Sequence, residues 1–298
     1  LSGAGSFVPR ELIRAWGVRQ KTDEVAAFTI VYRSAEEPGC MSHTFARGGV
    51  QLVVCEPHRF IYRPLQKCAS TTVIDFIGDL VGHVDRRDRR DFLPFAAADV
   101  SPGRGGTYAV KVPSAAIAGF VERYAGYLWF SVVREPYGRL KSNYFNKLNR
   151  YARKFEPRVY LLAYVRQVFT GRAIWRPDSV GERAACMQAC IPFSRFVCGL
   201  QEHGISWDCH FTPQSDLLRM DVIPYHRLVR MEHLADGLRE VVADAGATAA
   251  AAPALETLKR LNRSAAGTAD DADVWTPAAR RIAADLYRRD FEALGYAA

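Results

Sequence analysis

Residues 61–80, IYRPLQKCASTTVIDFIGDL, set Lys67 and three consecutive hydroxyls, Ser70, Thr71 and Thr72, between an apolar strand-like run and a helical one. Backbone N–H groups at a helix N-terminus lack intrahelical partners and carry partial positive charge, so such a turn is a seat for an anion. Lys67 adds a full charge and the hydroxyls add short donors. The nucleoside-triphosphate loop G-x-x-x-x-G-K-[ST] is excluded, because no glycine precedes the lysine in this segment. FSVVREPYGRLKS, residues 130–142, repeats the arrangement: Arg134 ends an apolar run, and Arg139 and Ser142 follow one helical turn apart. Two separated anion sites fit a nucleotide with phosphates at both ends of its ribose.

Other residues suit an acid–base or docking role. His210, in DCHFTPQ, is of the residue type whose unperturbed pKa, about 6.5, suits a general base. His83 and Glu232 compete with it, although Glu232 in MEHL reads more simply as a structural hydrogen-bond partner. Lys147, Arg150 and Lys154 share one side of a helix expected over 136–155. That basic side is either a solvated face or the wall of a cleft for an anionic polymer.

The elements that must hold these residues read as α/β. VQLVVCEPHRFIYRPL gives one or two buried strands, and Val73, Phe76, Ile77, Leu80 and Val84 form the apolar stripe of a helix after them. YLWFSVV is a second buried strand, and Pro136 suits the first turn of the helix that follows. Strands alternating with helices predict a single α/β domain with a central, mostly parallel sheet flanked by helices. We expect residues 1–50 to be a leader or partial subdomain and 51–298 to be the main domain. HRLVRMEHLADGLREVVADAG is expected to be helical, as is PAARRIAADLYRRDFEALGY. The Ala- and Asp-rich stretch between them, 247–275, is expected to be an irregular connection, and DRRDRRD at 85–91 a solvated helix end or loop.

The net charge of +8 selects anionic ligands over cationic ones. No apolar run approaches the ~20 residues of a membrane span. Cytoplasmic placement is expected if the chain is complete, and a Golgi lumenal one if an upstream anchor was trimmed; membrane association stays open. Seven cysteines cannot all pair within one chain. Cys186 and Cys190 in CMQAC lack a second pair or a histidine pattern to complete a metal site, so no metal is expected.

In these motifs the chain resembles the sulfotransferases that use 3′-phosphoadenosine 5′-phosphosulfate (PAPS), in the branch that includes carbohydrate sulfotransferases. PLQKCASTT looks like that branch's 5′-phosphosulfate loop and VVREPYGRLKSNYFNK like its 3′-phosphate motif. The likeness continues through HFTPQSDLL, VRMEHL, LNRS and LYRRDFEALGY. It implies a P-loop-like turn in which Lys67 meets the bridging oxygen and Cys68, Ala69, Ser70, Thr71 and Thr72 hold the 5′-phosphate. By the same resemblance Arg134 and Ser142 grip the 3′-phosphate, Asn262 and Ser264 close over the nucleotide, and His210 and Gln214 border the acceptor. The implied reaction is sulfonyl transfer from PAPS to a hydroxyl of a polar or anionic saccharide, with no metal. Two rivals stand beside it: an ATP-dependent small-molecule kinase with a degenerate phosphate loop, and a basic nucleic-acid-binding module. The first lacks a glycine-rich loop and the second a recognisable nucleic-acid motif, so no nucleic-acid partner is expected.

Overall fold

A computed structural model describes residues 49–82, 93–153, 188, 192–205, 209–265 and 274–298, with the backbone course alone for 148–153 and 259–265. All but the last two residues of the expected leader 1–50, the DRRDRRD run, and His83, Lys154, Cys186 and Cys190 lie outside these residues. By backbone proximity the chain divides into two compact units, Leu1–Cys40 with Tyr144–Gly199, and Met41–Asn143 with Leu200–Ala298.

The second unit holds an α/β domain built on one sheet. Its strands are β1 (Val50–Cys55), β2 (Phe60–Arg63), β3 (Phe95–Ala96), β4 (Thr107–Val112), β5 (Leu128–Val133) and β6 (Arg227–Arg230). They lie in the order β3-β4-β1-β2-β5-β6. The pairs β2–β5, β5–β6 and β3–β4 are parallel, while β1 runs antiparallel to both of its neighbours. VQLVVCEPHRFIYRPL is thus a hairpin, with Val54 opposite Ile61 and Cys55 opposite Phe60.

Alternate residues of the sheet face two different cores, which is why its central strands read as continuous apolar runs. On one face Val53, Tyr62, Phe130 and Val132 pack with α1 (Ser70–Leu80) through Val73, Phe76, Ile77 and Leu80. Each such side chain contributes about 1.5–3 kcal/mol on burial. On the other face Leu52, Val54, Ile61, Tyr108 and Trp129 pack with Phe120 of α2 (Ile117–Arg123) and with Tyr124.

α3 (Pro136–Arg153) follows β5, and α4 (Phe193–His203) and the short α5 (Gln214–Leu218) come next in the described chain. Within the first unit Tyr144 packs its ring against Phe193 and Phe196, each with ring centroids 5.2 Å apart. HRLVRMEHLADGLREVVADAG departs from the helical expectation. Arg227–Arg230 is a strand paired with β5, and only after a 3-10 turn at Met231–His233 does helix α6 (Leu234–Asp244) begin. A four-residue strand inside a helical pattern is decided by its pairing partner, which local periodicity does not contain.

The stretch expected to be irregular contains α7 (Thr248–Ala265), an 18-residue helix that accommodates Pro253. Alanine is the best helix former, and Ala251, Ala254, Leu255 and Leu258 give the spacing of a buried helical stripe. α8 (Pro277–Leu286) and α9 (Arg288–Leu294) close the chain as the expected helices, separated at Tyr287. Thr276 caps α8 by accepting the Ala279 N–H at 3.1 Å. Among the described residues no helix is long and apolar enough to cross a membrane.

Candidate active site

β2 and β5 are parallel neighbours, with Arg63 opposite Ser131, so the turns that leave them emerge side by side at one edge of the sheet. β6 ends beside them. This is the edge at which open α/β sheets hold ligands.

Between β2 and α1 the chain makes its turn without glycine. Lys67 and Ala69 both take left-handed backbone conformations, at φ 65° and φ 55°, each at a cost of roughly 1–2 kcal/mol for a residue with a Cβ. Strain of this kind gathers at functional sites. The turn is fastened from both ends: Arg63, buried, donates to the carbonyls of Gln51 at 3.0 Å and Leu217 at 3.3 Å, and Arg139 donates to the Gln66 carbonyl at 3.2 Å. α1 then starts with no side-chain cap and no acidic residue in its first turn. Ser70, Thr71 and Thr72 occupy that turn, with Thr71 exposed and the other two half-buried. The uncapped helix end, three hydroxyls and Lys67 together fit an anion.

The junction between β5 and α3 is built differently. Glu135, directly before Pro136, folds its carboxylate over the first turn and accepts the N–H groups of Tyr137 at 2.9 Å and Gly138 at 2.6 Å. Gly138 leaves room for this, because a Cβ there would sit 3.2 Å from Glu135 Oε2 and 3.3 Å from Arg134 Nε. Burial raises the Glu135 carboxyl pKa, against the two N–H bonds that lower it. Glu135's own N–H donates to Glu232 Oε1 at 2.9 Å, and Glu232 Oε2 accepts from the Tyr296 hydroxyl at 3.0 Å. Glu232 therefore plays the structural part expected of it. With the helix end filled by a carboxylate, an anion at this junction is left to side chains: Arg134 and, two turns into α3, the half-buried Ser142. The two junctions touch, since Arg134 Nη1 donates to the Lys67 carbonyl at 3.3 Å.

A third segment, 209–215, is held against both. Arg139 is only 2 % exposed and donates to the carbonyls of Thr212 at 3.0 Å and Cys209 at 3.4 Å. Asn143 donates to the His210 carbonyl, and the Tyr287 hydroxyl to that of Phe211 at 2.9 Å. Buried Asp290 accepts the backbone N–H groups of Gln214 and Ser215, each at 2.8 Å, at the start of α5. His210 is half-buried, with Nδ1 3.8 Å from the Cys209 sulfur.

Lys67, Arg134, Ser142 and His210 thus belong to three connected segments of one unit. Other expected site residues fall elsewhere. Arg139 is committed to backbone carbonyls and does not present itself as an anion ligand. Gln214, expected to border the acceptor, is fully buried, with its amide bonded to the backbone of Arg134. Lys147, expected on a basic face as an acceptor contact or a solvated charge, is 7 % exposed. Asn262 and Ser264 lie on the last turns of α7, and like Arg150 they have side chains outside the described set. Cys68 is buried in the turn, where burial pushes its thiol up to about 11, so it stays protonated and donates to Gln214 Oε1 at 3.2 Å. The described cysteines, Cys55, Cys68, Cys198 and Cys209, form no disulfide, and no group of His, Cys, Asp or Glu among the described residues could hold a metal ion.

Sequence reasoning missed Glu135, Asn143, Tyr287 and Asp290. For Glu135 a signal exists, an acidic residue directly before a proline at the first helical position. For the other three the partners are distant in sequence and no local signal exists.

A family model described as Sulfotransferase family matches residues 50–297, from the first strand to the residue before the last. No curated protein and no solved structure matches the chain.

Proposed function

The chain belongs to the sulfotransferase family, and on that premise we propose that it transfers the sulfonyl group of PAPS to a hydroxyl of a saccharide. In this reading 51–298 is the sulfotransferase domain and 1–50 a leader or partial subdomain. The observation that carries it is the pair of unlike anion seats on adjacent strand ends, one at the uncapped start of α1 and one at Arg134 and Ser142. A nucleotide with phosphates at both ends of its ribose matches that pair. The kinase reading is not favoured by the family match.

The residues divide the work by position. Ser70, Thr71, Thr72 and the first-turn N–H groups of α1 hold the 5′ end, with Cys68 and Ala69 shaping the turn. Arg134 and Ser142 hold the 3′-phosphate, and Asn262 and Ser264 close over the nucleotide. As the acceptor oxygen bonds to sulfur and the sulfur–oxygen bridge breaks, Lys67 meets the charge that grows on the bridging oxygen. His210 takes the proton of the acceptor hydroxyl. The chemistry needs positioning and charge stabilisation, and no metal enters it.

The saccharide acceptor is supported by the likeness of the two nucleotide motifs to the carbohydrate branch and by the positive net charge. Burial of Lys147 withdraws one of the three charges first read as a polymer-binding face. A panel of mono- and polysaccharides incubated with PAPS labelled in its sulfonyl group tests the acceptor, with label expected in a sugar fraction. Label found only on phenols, steroids or peptide tyrosine would overturn the saccharide acceptor and leave sulfonyl transfer standing.

A further inference from the structure

We infer that Gln214 is a positioning residue that holds the 5′- and 3′-anion junctions at the spacing a doubly phosphorylated nucleotide needs; this rests on the function proposed above. Its side chain is fully buried and bonds to both junctions. Oε1 accepts the backbone N–H of Arg134 at 2.9 Å and the thiol of Cys68 at 3.2 Å, and Nε2 donates to the Arg134 carbonyl at 2.8 Å. One amide therefore satisfies both backbone groups of the residue that follows β5 and reaches the residue next to Lys67. The amide is itself anchored from α9, where Asp290 Oδ2 accepts the Gln214 backbone N–H at 2.8 Å and Nε2 at 3.5 Å.

An apolar residue of the same length would fill the same volume without the desolvation cost of a buried amide. What the amide adds is a fixed distance between two loops that share no regular hydrogen bonding. The Arg134 guanidinium also bridges them, at 3.3 Å to the Lys67 carbonyl, but that group is the one assigned to the 3′-phosphate. Gln214 acts without touching the ligand.

The arrangement has a signature that simple support of the fold lacks. A nucleotide with one phosphate engages one junction, so the spacing between junctions does not affect its binding. A nucleotide with two phosphates must fit both at once, so preorganised spacing enters its affinity directly.

The experiment titrates the parent, Gln214→Met and Cys68→Ala with adenosine 3′,5′-bisphosphate, adenosine 5′-monophosphate and adenosine 3′-monophosphate, with a thermal melt of each protein. Gln214→Met keeps the length and removes the polar bonds, and Cys68→Ala cuts the strut at its other end with a smaller change. The parent is expected to prefer the bisphosphate. Gln214→Met should weaken the bisphosphate about tenfold and each monophosphate by no more than about twofold, with Cys68→Ala showing the same pattern at about threefold. Folded variants that keep the bisphosphate preference, or lose all three ligands equally, overturn the inference. If Gln214→Met does not fold, Cys68→Ala decides by the same criterion. A parent with no preference for the bisphosphate overturns the two-seat reading itself and the strut with it, whereas a preference that survives both substitutions overturns the strut alone.

Discussion

At the β2–α1 junction the helix begins with its first-turn N–H groups uncapped by any side chain, whereas at the β5–α3 junction the Glu135 carboxylate takes the N–H groups of Tyr137 and Gly138. The two turns leave adjacent parallel strands and have the same outline in sequence: apolar run, basic residue, helix. On the proposed function, their difference separates two ways of holding an anion. The first offers backbone dipoles and short hydroxyls, which suit a group that must be held while charge moves through it. The second has spent its helix end on an internal carboxylate and relies on a guanidinium and a hydroxyl, which suit a phosphate that only anchors.

Lys67→Ala attacks the comparison where the difference matters most. Removing a donor aimed at developing charge should cost roughly 10²–10³-fold in turnover, while melting temperature stays close to the parent's. A folded variant nearly as fast as the parent would move the chemistry away from this turn.

Ala69→Asp makes the first junction resemble the second by placing a carboxylate at the start of α1. Like charge beside the 5′ group should weaken nucleotide binding by roughly 10–100-fold in titration, an effect that salt reduces. Unchanged affinity would mean that the open helix end is not the 5′ seat.

Arg134→Ala tests the side-chain seat. Hydrogen bonds to charged groups are worth roughly 1.5–3 kcal/mol, so bisphosphate affinity should fall by about tenfold or more. Binding of the 3′-hydroxyl nucleotide should hardly change, and equal losses for both ligands would remove Arg134 from the 3′ site.

The smallest effect belongs to the capped end. Glu135→Ala should cost about 1 kcal/mol of stability by denaturant titration, the ordinary loss for a helix cap. Burial lifts this carboxyl above its ordinary value of 4.5, and the charge of Glu232 adds to the lift. The folded state therefore holds the proton more tightly than the unfolded chain. The stabilisation linked to this proton is complete below 4.5 and is lost as pH rises through the folded value. Melting curves across that range should show the parent losing ground relative to Glu135→Gln as pH increases, and a gap that widens in the parent's favour would contradict the assignment.

The parts of this site that were legible in sequence are those written locally. Lys67 to Thr72 and Arg134 to Ser142 each sit in a short window where strand, turn and helix signals follow in order, and the α/β class follows from their alternation. Gln214 is placed at the acceptor only by the resemblance of its segment, HFTPQSDLL, to the family. Its real partners are Arg134 and Asp290, 80 and 76 positions away. Lys147 misled for the same reason: charge implies solvent until tertiary packing buries it. The Ala- and Asp-rich composition of 247–275 masks the helix Thr248–Ala265, although Ala251, Ala254, Leu255 and Leu258 carry the right spacing. Strand Arg227–Arg230 exists because β5 is there to pair with it.

The buried carboxylate of Asp290 also bears on when the protein becomes competent. Its bonds to Gln214 and Ser215 cross 76 and 75 positions of chain, and the bonds from Gln214 to Arg134 cross a further 80. Contacts of such long separation form late, because the entropy of closing large loops must be met first. During synthesis both anion-holding turns leave the ribosome well before the helix that fixes them. A nascent chain that stops short of Asp290 carries both turns without the bonds that fix the segment joining them, so on the proposed function a competent site requires translation through α9.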